Sequence, residues 1–129
     1  MSEYRDALDR ALAQVGTTVT LQRVSRAASP SSGALTVDQS VSVLAFMRAL
    51  SGGDRADQLV GSVAQNDWLI ILSPTWLEAA GWNSGSTVNQ IVPMRGNRVQ
   101  TPFGVMTVTA ATPFYVAEEL ARIELQARG

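Results

Sequence analysis

The chain has 129 residues, 46% hydrophobic and 16% charged, with a formal net charge of −1. That is one domain's length and a globular composition, enough to bury roughly two thirds of the unfolded surface. It contains no cysteine and no histidine, and all ten basic residues are arginine. Disulfides, thiolate nucleophiles, zinc-finger ligand sets, the Ser-His-Asp triad and lysine-based chemistry are thereby excluded. A near-zero charge lacks the basic footprint of an autonomous nucleic-acid binder. No apolar run approaches the ~20 residues of a membrane span, and the longest, Trp68 to Leu72, is strand-sized. The start, Met1-Ser2-Glu3-Tyr4-Arg5-Asp6, is too charged to lead a signal peptide, so a soluble protein made inside the cell is expected.

Tyr4, Ala7, Leu8, Ala11, Leu12 and Val15 recur at helical spacing, with Ser2 placed to cap the start and Gly16 the end. Residues 1–16 therefore read as an amphipathic helix. Its apolar stripe suits either the chain's own core or a neighbouring subunit, and Tyr4, Leu8 and Leu12 are the candidates for the latter. From Thr17 the period changes to two, and 17–26 reads as a strand. Ala28 to Gly33 is turn-rich, and 37–50 reads as a second, longer strand hairpinned to the first.

Ser51-Gly52-Gly53-Asp54 breaks that strand, and 51–66 reads as a long, partly helical connection with glycine hinges. Residues 67–73 form a third strand, apolar on both faces and so expected to be buried on both. Ser73-Pro74 opens a short helix, Thr75 to Ala80. Gly81 to Ser86 reads as a loop and Val88 to Val92 as a short strand. Strands at 97–100 and 104–110 flank the turn Thr101-Pro102-Phe103. Pro113 to Leu120 reads as a connection with room for a helical turn, and 121–128 as the last strand. The expected fold is mostly β: a small antiparallel barrel of about six strands forming one domain, with the helix at 1–16 and the barrel over 17–129.

Few constellations carry chemistry. Asp54 and Asp57 lie in the hinged connection with Arg55 between them, and Glu118 and Glu119 are adjacent. Neither pair comes with metal ligands or an apolar pocket, so both read as solvated charges and no enzyme, metal or cofactor is expected. Trp68, Trp76 and Trp82 could stack on bases or sugars, but Trp68 and Trp76 read better as core. Trp82, in a Gly/Ser loop, is the candidate for a contact between subunits. Arg95 and Arg98 flank a turn and read as surface charges rather than a phosphate grip.

From Thr17 onward the order of elements resembles the head-closure, or stopper, proteins of tailed bacteriophages and gene transfer agents. The strand Val19-Thr20-Leu21-Gln22-Arg23 leads through a turn-rich loop to a long second strand. A long connection, Leu50 to Asn66, precedes the apolar strand opened by Asp67-Trp68. The turn Met94-Arg95-Gly96-Asn97-Arg98-Val99 precedes the hairpin strand Gly104-Val105-Met106-Thr107-Val108, and Ile123 to Gly129 closes the chain. Asn97 stands where the family often has an acid, and the segment Trp76 to Ser86 is longer than in a minimal member.

The resemblance implies a structural protein of the virion neck, made in the bacterial host cytoplasm, and no membrane partner. It implies a homo-oligomeric ring, usually of twelve copies, between portal or adaptor above and tail terminator or tail proteins below. Packaged double-stranded DNA would pass its channel, with the second connection as gate. In this chain the gate candidates are Gly52, Gly53, Asp54, Arg55, Asp57, Gln58, Gly61 and Gln65. Another neck ring, an adaptor or tail terminator, is one alternative; a small-barrel nucleic-acid-binding module is another.

Overall fold

The computed structural model describes residues 3–26, 35–50, 67–82 and 91–129. Helix α1 spans Glu3–Val15 and leads into β1 (Thr17–Arg26) and β2 (Leu35–Ala49). Strand β3 (Asp67–Leu72) and helix α2 (Pro74–Ala79) follow, then β4 (Arg98–Thr101), β5 (Gly104–Val116) and β6 (Glu119–Arg128). The strands close into an antiparallel barrel in the order β1-β2-β3-β6-β5-β4, with alternate residues of each strand facing the interior. Val19 and Leu21, Val41, Val43 and Ala45, Ile70 and Leu72, Val99, Met106 and Val108, and Ile123, Leu125 and Ala127 all point inward and are buried.

Ala45 sets the stagger of the barrel. It pairs with Thr17 on one side and Leu72 on the other, so β1 begins and β3 ends at one row. The chain before Thr17 and after Leu72 therefore emerges at the same place, where α1 and α2 meet. Arg5 pairs with Glu78 at 2.7 Å, and the Ser73 hydroxyl donates to the Asp9 carboxylate. Ser73 also caps α2 by accepting from the Thr75 N–H, with Pro74 filling the first turn. At Gly16 a Cβ would collide with the Leu12 carbonyl oxygen, which explains the glycine between α1 and β1.

Several sequence expectations need correction. Pro113 to Val116 continues β5, and a two-residue turn at Ala117 and Glu118, both at positive φ, replaces the expected connection. Proline is tolerated there because β4 pairs with β5 only as far as Thr107, leaving one edge of β5 outside that ladder. Strand β3 buries Ile70 and Leu72 on its inner side; on the other side Asp67 is buried but Leu69 and Ile71 are only half-buried, so the expected full burial of both faces holds in part. Ile91 and Val92 belong to no strand, and 83–90 lie outside the described residues. Among the described residues no helix is long and apolar enough to cross a membrane.

Candidate functional site

The gate candidates Gly52, Gly53, Asp54, Arg55, Asp57, Gln58, Gly61 and Gln65 all lie outside the described residues. The root of their connection is within them. The Leu50 N–H donates to the Asp67 carbonyl at 2.9 Å, joining the last residue before the connection to the first after it. The Asp67 carboxylate is fully buried beside that bond. It accepts from Arg128 Nε at 2.8 Å and from Gln126 Nε2 at 3.0 Å, both on β6. The hydrogen bond and charge of Asp67 hold the Arg128 pKa above its ordinary value. Next to this clamp, Trp68 stacks on Phe103 of the β4–β5 turn, ring centroids 4.7 Å apart.

The four candidates for subunit contact separate into two pairs. Leu12 and Trp82 are buried, 1% exposed each, and serve the chain's own fold rather than a neighbour. For Trp82 the reason is local: its backbone N–H donates to the Leu77 carbonyl, which folds the residue back under α2 into the core. Tyr4 and Leu8 instead line a surface groove of about 490 Å³ with Phe114, Tyr115, Val116 and Arg122. Tyr4 is 67% and Tyr115 61% exposed, and the Arg122 guanidinium lies 4.7 Å from the Phe114 ring centroid. Sequence reasoning missed Phe114 and Tyr115 because Pro113 made their segment read as a connection. A β-bulge at Ala121, between the Phe114–Arg122 and Tyr115–Leu120 pairs, breaks the alternation, so both adjacent aromatics reach the groove.

Charge is unevenly spread around the barrel. Helices α1 and α2 with residues 117–124 carry seven carboxylates against three arginines. Two of those arginines are engaged internally, Arg5 with Glu78 and Arg122 with Glu124 at 3.1 Å. Strand β1 and the segment 91–101 hold Arg23, Arg26, Arg95 and Arg98 and no carboxylate. In strand order β1 lies across the barrel from β6, and β4 across from β3.

The turn before β4 is pinned by four hydrogen bonds. Asn97 Oδ1 accepts from the Met94 N–H at 2.7 Å, and the Asn97 N–H donates to the Met94 carbonyl. The Gly96 N–H and Asn97 carbonyl bond both ways to Val108 of β5, and Gly96 takes φ +96°, open to glycine at low cost. Asn97 thus supplies the side-chain acceptor that holds the turn. Met94 and Arg95 project outward, Met94 55% exposed.

Among the expected carboxylate pairs, Glu118 is exposed in the hairpin turn, while Glu119 approaches Arg5 at 4.0 Å. Trp68 and Trp76 pack on the core as expected. Among the described residues no three acidic side chains gather to hold a metal. No protein-family model, curated protein or solved structure matches the chain.

Proposed function

We propose that this chain is a neck protein of a tailed phage or gene transfer agent, a stopper ring joining portal or adaptor to tail and gating the DNA channel. One observation carries the reading: both ends of the 51–66 connection are clamped at the barrel by the Leu50–Asp67 bond and the buried Asp67 carboxylate. A gate needs a segment held by rigid strands at both ends, and β2 and β3 supply them. Within the segment, Gly52, Gly53 and Gly61 allow large backbone changes, and Asp54, Arg55 and Asp57 suit a wet lumen. With two acids to one arginine per copy, a ring of twelve would make the constriction net acidic and repel phosphate, helping DNA slide.

The test is to shorten Gly52 to Gln65 in the virion-borne protein. Heads should fill and necks assemble, and the filled heads should leak DNA. Retention equal to wild type in normally assembled particles would remove the gating role.

A further inference from the structure

The geometry points to a head-to-tail contact between copies of this chain: the Met94–Arg95 turn of one seats in the Tyr4, Leu8, Phe114 and Tyr115 groove of the next. The inference deepens the ring part of the proposed function and needs none of the gating part. Both surfaces are apolar where they would touch, and their surroundings are opposite in charge. The groove is bordered by acidic α1 and the acidic hairpin tip, whereas the turn lies in a segment bearing Arg95 and Arg98 without a carboxylate. Among the described residues neither Arg95 nor Arg98 takes part in an ion pair. A thioether against aromatic rings and a guanidinium against carboxylates are both favourable pairings.

The turn also satisfies the entropic requirement. Its hydrogen bonds to Asn97 Oδ1 and Val108 fix it in advance, so docking orders only the two side chains. Within one copy the two surfaces cannot meet. The turn hangs on the β4 edge of β5 at Val108, and the groove begins at Phe114, about 20 Å along the strand at ~3.3 Å per residue. A contact between two different patches is heterologous; it gives a ring where its rotation closes and an open filament where it does not, and the ring is what the proposed function requires.

The absence of native cysteine permits a direct test with the full chain. Met94→Cys and Tyr115→Cys together place one thiol on each surface, too far apart to pair within a copy. Under mild oxidation the double variant should give a disulfide ladder extending beyond the dimer, and each single variant should stay monomeric. Adding Arg95→Glu should reduce the ladder about tenfold, as expected for an interfacial anchor. Unchanged circular dichroism and melting establish that each variant is folded. No ladder from the folded double variant, or a dimer from either single variant, would overturn the proposal; the latter means a symmetric contact. These readouts use neither heads nor DNA, so they separate from the gate test. A ladder with DNA retained after the deletion would sink the gate alone, and leaking heads without a ladder would sink this contact alone.

Discussion

Replacing Trp82 with alanine distinguishes a residue of the fold from a residue of an interface. Its side chain is 1% exposed in the single chain and belongs to the same buried cluster as Leu77 and the inward residues of the barrel. Truncating a buried tryptophan leaves a large cavity and costs about 3–5 kcal/mol. A domain of this length has a total stability of order 10 kcal/mol, so the variant should remain folded. Its melting temperature should fall by about 10–20 °C. The assay is thermal and urea unfolding at several protein concentrations, because loss of a subunit contact would depend on concentration. Tyr115→Ala, at a 61% exposed site, serves as the control and should change stability by no more than about 0.5 kcal/mol. A Trp82→Ala melt within about 3 °C of wild type in dilute solution would refute the core assignment.

Two further outcomes are expected. Exchanging Ala117-Glu118 for Asn-Gly should raise stability by about 1–2 kcal/mol in denaturant titrations, since both positions have positive φ in a two-residue hairpin turn. Equal or lower stability would mean the turn is not strained. The raised Arg128 pKa makes its contribution fully present below the ordinary arginine value and lost only as pH rises through the raised one. With no histidine or cysteine to titrate, the melting temperature should be flat from about pH 6 to about pH 9; a clear slope there would expose another titrating group.

The barrel was legible because its inner face alternates strictly. Val19 and Leu21, or Ile123, Leu125 and Ala127, announce a strand and the side it buries. The short helix was legible from Ser73-Pro74, whose capping chemistry is local. What could not be read was set by pairing. Pro113 looks like a strand breaker until it is known that β4 has already ended beside β5. Trp82 follows a glycine and precedes Asn-Ser-Gly, so its neighbours suggest a surface loop; only the bond to Leu77 turns it inward. The groove was half legible, through Tyr4 and Leu8, because a helix stripe shows that a face is apolar and not what lies opposite.

The stagger at Ala45 fixes where the groove and the root of the connection lie on the barrel. Because Thr17 and Leu72 flank that residue, both helices collect at one end of β3, with their carboxylates and the groove. The connection 51–66 starts and finishes at the other end, where Asp67 begins the strand. Five residue steps separate Asp67 from Leu72, about 17 Å at ~3.4 Å each. A neighbour seated in the helix-side groove would therefore leave the root of the connection uncovered. Asp67 adds rigidity there without needing a partner subunit, since Arg128 and Gln126 come from the same chain. The groove and the root of the connection thus lie at opposite ends of one short strand, whereas the Met94–Arg95 turn, bonded to Val108 in line with Ala127 and Trp68, lies at the same end as the root.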